Sequence, residues 1–152
     1  MKTSHGIASA AGVVILLSAA GPVLAEDKAS AADANAMLEG AIGAVKADKL
    51  KALSAFSHGA EGFKDRDLYV FCARTDGKVG AHIDPAQIGR NIKELYDVDG
   101  VAFGQEMMAM ATEGQIIAVS YMWPEPGSHV PTAKISFVTR VADQMCGVGY
   151  YK

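Results

Sequence analysis

Basic residues are scarce relative to acidic ones: 14 Lys and Arg stand against 17 Asp and Glu, a net charge of −3. Phosphate binding needs a clustered basic surface, so this balance argues against nucleic acid as a partner. The four His residues lie far apart and form no metal-ligand set. Catalytic signatures are missing too: there is no Gly-x-Ser-x-Gly, no His-Glu-x-x-His, no phosphate loop and no dinucleotide fingerprint. Gly147-Val148-Gly149 lacks a third glycine and a following helix, and reads as strand-end glycine. Neither an enzyme nor a cofactor is expected. After residue 25 no run is long and apolar enough to span a bilayer. No internal repeat, low-complexity segment or second domain is visible.

The first 25 residues carry one formal charge, Lys2, followed by an apolar run from Ile7 to Leu17 and a small-residue stretch containing Gly21-Pro22 and ending Val23-Leu24-Ala25. Charge, short apolar core, breaker and small-residue site make a secretory signal peptide over 1–25. An uncleaved anchor competes, because Gly6 to Ala25 is uncharged. It is the weaker reading, since Ala, Gly and Ser gain little from lipid and Pro22 interrupts the stretch. Cleavage leaves 26–152 as one domain, with thirteen basic and seventeen acidic residues and a net charge of −4. A periplasmic or secreted location follows. Export also places the two cysteines, Cys72 and Cys146, where a bridge is permitted. Two separate buried thiols are the alternative.

Residues 28 to about 57 read as one long helix, with Leu38, Ile42, Val45, Leu53 and Phe56 at helical spacing and Gly59 available as its left-handed cap. Strands are predicted at about 68–74, 78–83, 115–123, 131–141 and 144–151. The first two are joined by the Asp76-Gly77 turn, and Pro85 stops the second. Between the second and third lie a helical piece near Ile92–Tyr96 and a helix over Gly104–Thr112. Asp97-Val98-Asp99-Gly100 lacks the ligand positions of a calcium loop and reads as a turn. One helix leading into a five-stranded antiparallel sheet is an α+β plan.

The stretch Asp67 to Pro85 is followed by Ile88-Gly89-Arg90-Asn91, Asp97-Val98-Asp99-Gly100, Tyr121-Met122-Trp123-Pro124, Lys134-Ile135-Ser136-Phe137 and Gly147-Val148-Gly149-Tyr150-Tyr151. In that order the set resembles the single Cache domain of bacterial extracytoplasmic sensors. The likeness is strong over about the last ninety residues. It implies a PAS-like sheet of strand order 2-1-5-4-3, with the short helices inserted between strands two and three. Strands one and five would then be neighbours, which brings Cys72 and Cys146 within bonding reach.

Alternation places Tyr69 and Phe71 on one face of strand one, Val119, Tyr121 and Trp123 on one face of strand three, and Lys134, Ser136 and Val138 on one face of strand four. The long helix covers one side of the sheet and the 85–114 insert covers the other. The space under the insert is the natural concave site. In the family resembled, that space holds a small ligand, often a short organic anion such as acetate, propionate, pyruvate or lactate. A carboxylate removed from water needs charge-assisted donors. Lys134 is the candidate charge, and His82, Tyr69, Tyr121, Ser136 and Trp123 are candidate donors. Phe71, Met107 and Met110 are the candidate apolar wall. Each has a duller reading, as a solvent-facing lysine, a structural histidine or core packing.

The expected function is an exported domain that binds a short carboxylate. No output module of its own is expected, so a signal would pass through a separate membrane sensor protein, or the domain acts as a periplasmic binder without signalling. The amphipathic N-terminal helix is a candidate homodimer surface. The rival is a structural or interaction domain whose pocket is filled by its own side chains.

Overall fold

The computed structural model describes residues 28–152. The expected signal peptide, 1–25, lies outside the described residues. Among those described, no helix is long and apolar enough to cross a membrane.

Ser30 starts the first helix, α1 (Ala31–Ala47). Its hydroxyl accepts the Asp33 N–H while the Asp33 carboxylate accepts the Ser30 N–H, closing a capping box. The expected single helix is broken. Asp48 leaves helical geometry (φ −156°, ψ 98°), ends α1, and accepts the Lys51 N–H at 3.1 Å to open α2 (Lys49–His58). A short acidic side chain gains more by capping a helix start than by sitting inside a helix. Gly59 closes α2 in the left-handed region, φ 62°. Ala34, Leu38, Ala41 and Val45 form one buried stripe of α1, at spacings of four, three and four residues, and pack on the sheet.

The sheet has six strands: β1 (Lys64–Asp65), β2 (Leu68–Arg74), β3 (Val79–Ala81), β4 (Ile117–Pro124), β5 (Pro131–Val141) and β6 (Gln144–Tyr151). The order is β1-β2-β6-β5-β4, with β3 also paired to β2, and every pairing between strands is antiparallel. The five expected strands stand in the expected order. The two-residue β1 is an addition, formed from polar residues that carry no strand pattern and held by pairing to Leu68 and Tyr69. β3 is shorter than expected and ends at Ala81. The β2–β6 register sets Cys72 opposite Cys146 with Cα atoms 4.1 Å apart, and a disulfide joins them beneath α1.

Residues between β3 and β4 cross the opposite face. Asp84 and Asn91 each cap a short 3₁₀ turn, Pro85–Gln87 and Ile92–Glu94, and α3 (Phe103–Met110) follows. Asp97 staples this insert to the sheet. Its carboxylate accepts the N–H groups of Asp99 (2.9 Å), Val101 (2.8 Å) and, on β4, Met122 (2.9 Å). Ile92, Leu95, Phe103 and Met107 then bury against Tyr69, Phe71 and Tyr121.

Candidate functional site

Space on the insert side of the sheet begins with two glycines. Gly149 pairs with Ser136 and Gly147 with Phe71 across the sheet. A Cβ on Gly149 would lie 2.3 Å from Ser136 Oγ and 2.4 Å from Lys134 Cε; one on Gly147 would lie 2.5 Å from the Phe71 ring. Their bare backbone makes the floor over which Lys134, Ser136 and Phe71 lie.

Lys134, on β5, is only 1 % exposed. Its Nζ donates to Tyr69 Oη at 2.7 Å and sits 4.1 Å from the Tyr69 ring centroid, 4.8 Å from that of Tyr151 and 5.9 Å from that of Phe71. Among the described residues no carboxylate forms an ion pair with it. Aromatic faces offset part of the cost of a buried ammonium. Burial still pulls the amine down to about 7, against a weaker opposing pull from Asp67. Asp67 is itself buried: one oxygen accepts the Ala29 N–H at 2.9 Å and the other has no hydrogen-bond partner among the described residues.

His82 follows β3 and is 8 % exposed. The Asp84 N–H donates to its Nδ1 at 2.9 Å, so the neutral ring carries its proton on Nε2. Burial, together with the charge of Lys134, drives the imidazole down to about 4. The neutral ring is therefore a fixed Nε2–H donor at ordinary pH. Its centroid lies 4.9 Å from that of Tyr69. Burial raises the Tyr69 hydroxyl well above the usual phenol range, so it remains protonated.

A cleft of about 470 Å³ opens over these groups. Tyr69, His82 and Trp123 meet within it; Ile83, Asp84 and Gln87 line one side, and the Pro124–His129 turn between β4 and β5 lines the other. Below it an inner chamber of about 20 Å³ is bounded by Tyr69, Phe71, His82, Tyr121 and Trp123 among others. That volume is about one water molecule. Phe103 fills much of the neighbouring space, stacked on Tyr121 at 4.3 Å and edge-on to Trp123 at 5.4 Å.

The nine expected site residues thus divide. Tyr69, Phe71, His82, Tyr121 and Trp123 bound the cleft or chamber. Lys134 lines neither: it stands behind the Tyr69 hydroxyl and reaches the cavity through it. Ser136 is fully buried and bonded to the Tyr121 hydroxyl at 2.9 Å. Met107 is core, lining neither space. Met110 is 48 % exposed and forms no wall, because α3 turns that side outward. The sequence reading missed Tyr151, Asp67 and the Pro124–His129 turn. Tyr151 lies directly opposite Lys134 in the β5–β6 register, and counting back from the Ala142-Asp143 turn would have found it.

Helices on one face of a 2-1-5-4-3 sheet, and a short-helix insert roofing a pocket on the other, define a PAS-like sensor domain. The chain belongs to the Cache family: the family model described as Cache domain (dCache_2) matches residues 43–151. Cache domains are extracytoplasmic ligand-sensing domains. The chain is 32% identical over 75 residues to the methyl-accepting chemotaxis protein McpP of Pseudomonas putida, a match that spans 49% of this chain and 14% of that receptor. A methyl-accepting chemotaxis protein from Vibrio parahaemolyticus shares the fold at TM-score 0.65 and 20% identity, over 79% of this chain and 86% of that one. A Cache chemosensory domain described for carboxylic acid recognition superposes at TM-score 0.61 with 24% identity, over 77% of this chain and 84% of its own.

Proposed function

We propose that this chain is an exported sensor domain that binds a short organic acid in the cleft, with the acid's carboxylate held by Tyr69, His82 and Trp123. The observation that carries the reading is the Lys134–Tyr69 pair: a buried amine without a carboxylate partner among the described residues, one hydroxyl away from an open cleft. A bound anion would supply the missing charge. The amine would polarise the Tyr69 hydroxyl, and His82 Nε2–H and the Trp123 indole N–H would complete the donor set. The chemosensory domain described for carboxylic acid recognition supports the ligand class, and the chemotaxis receptor relative supports a signalling context. Binding without turnover is the expected activity. A separate membrane sensor protein is the proposed partner, a homodimer through the N-terminal helix the proposed assembly, and the periplasm the proposed location after cleavage at Ala25. N-terminal sequencing of the exported protein tests the cleavage; a start at Glu26 is expected.

One observation favours the rival reading of a self-filled pocket: the inner chamber has room for about one water. A thermal-shift panel of acetate, propionate, pyruvate and lactate separates the two. A ligand that binds only the folded state must raise its melting temperature. A saturable rise with at least one acid supports the sensor, and flat curves across the panel support the rival.

A further inference from the structure

The cleft's donors Tyr69 and His82 are buried at its base, whereas its carboxylates are nearer solvent at the mouth, Asp84 exposed and Glu125 half-buried. Among the described residues neither Lys nor Arg lines it, and the carboxylates that do are Asp84 and Glu125. Glu125 is paired with Lys28 at 2.9 Å, so much of its charge is offset. Asp84 is held differently. It accepts the Ala86 N–H at 2.9 Å and the Gln87 side-chain amide at 3.2 Å, both neutral donors, which fix the carboxylate without cancelling its charge. Arg90 lies one layer back, bonded to Gln87 at 3.1 Å, and makes no ion pair with Asp84.

An acid seated with one carboxylate on Tyr69 and His82 directs its other end toward this mouth. A methyl group there meets Ile83 and the prolines of the β4–β5 turn. A second carboxylate there meets Asp84, with no Lys or Arg among the described residues lining the cleft to answer it, and like charges brought together at a binding surface are strongly disfavoured. We propose that Asp84 is a specificity residue that makes the cleft accept acids with a single carboxylate and reject dicarboxylates of the same length. The inference rests on the proposed function and narrows its ligand class.

Propionate and malonate have the same carbon count and differ by the distal charge. Calorimetric titration of the purified chain at pH 7.5 in low salt should show propionate binding at least tenfold more tightly than malonate. The gap should shrink in 0.5 M NaCl, because screening weakens exposed charge–charge terms. Asp84→Asn keeps a capping side chain for the Pro85–Gln87 turn. Gln87→Lys leaves Asp84 in place and sets a cation beside it. Each should narrow the propionate-to-malonate ratio at least threefold. Equal binding of the two acids by the unaltered chain, or a ratio unmoved in both variants, overturns the role of Asp84 and leaves the acid-binding reading standing. Binding of neither acid removes that reading, and this inference with it.

Discussion

Lys134 Nζ donates to Tyr69 Oη over 2.7 Å, and that hydroxyl stands between the amine and the cleft. The contact joins β5 to β2 across the intervening β6. It makes the tyrosine both a wall of the cavity and the sole hydrogen-bond partner of the buried amine among the described residues.

Replacing Tyr69 with Phe removes that partner. A buried polar group left unsatisfied costs about 1–3 kcal/mol, and more when charged. Thermal unfolding of Tyr69→Phe at pH 6 should show a loss of that order. At pH 9 the loss should be smaller, because the amine is then mostly neutral.

Stability should rise with pH between about 7 and 10. The Lys134 amine has its ordinary value of 10.5 in the unfolded chain and about 7 in the fold. Across that window the unfolded state binds more protons, so raising the pH favours folding, by roughly 4 kcal/mol in all. The His82 shift from 6.5 to about 4 acts in the same direction between those two values. The raised phenols of Tyr69, Tyr121 and Tyr151 act oppositely above pH 10, where the unfolded chain deprotonates first. Denaturant midpoints measured from pH 5 to 11 should therefore pass through a maximum near pH 9–10. The rise between 7 and 10 should vanish in Lys134→Met.

Adding a methyl group at Gly149 places it against Ser136 Oγ and Lys134 Cε, well inside contact distance. Gly149→Ala should destabilise the fold by about 1–3 kcal/mol through overpacking. It should also displace the Lys134 amine from Tyr69, read as a lost pH dependence between 7 and 10. Gly43→Ala, where nothing lies within 4 Å of the added carbon, is the matched control.

The Cys72–Cys146 bridge closes a loop with a sequence separation of 74. By the chain-entropy relation such a loop constrains the unfolded chain by about 4 kcal/mol. The double variant Cys72→Ala, Cys146→Ala should lower the denaturant midpoint accordingly and make the fold indifferent to reductant. A midpoint equal to that of the oxidised protein would place the bridge outside the stability of the fold.

Much of the architecture was legible because successive side chains of a strand point to opposite faces, so the residues of each face can be sorted even in β2, which is buried on both faces. Tyr69 and Phe71 face the insert with Lys134 and Ser136, as their positions in the strands require. The helix break at Asp48 was hidden by good helix formers on either side, Ala47 and Lys49, so capping outcompeted propensity only in the folded context. β1 is polar and two residues long, and exists only because Tyr69 and Leu68 offer it an edge. The place of Lys134 behind Tyr69, rather than in the cavity, depends on Gly149 and on cross-strand register, which residue type alone does not encode. The cleft's second wall is a turn, Pro124–His129, whose position over His82 is a tertiary matter.

Calorimetric titration of the purified chain and of Lys134→Met with acetate, propionate, pyruvate and lactate at pH 6.5 tests the central claim most directly. The account predicts saturable one-to-one binding of at least one acid, weakened tenfold or more in the variant, which is about 1.4 kcal/mol. Affinity unchanged by the loss of the amine, or no saturable binding of any acid by the unaltered chain, would contradict it.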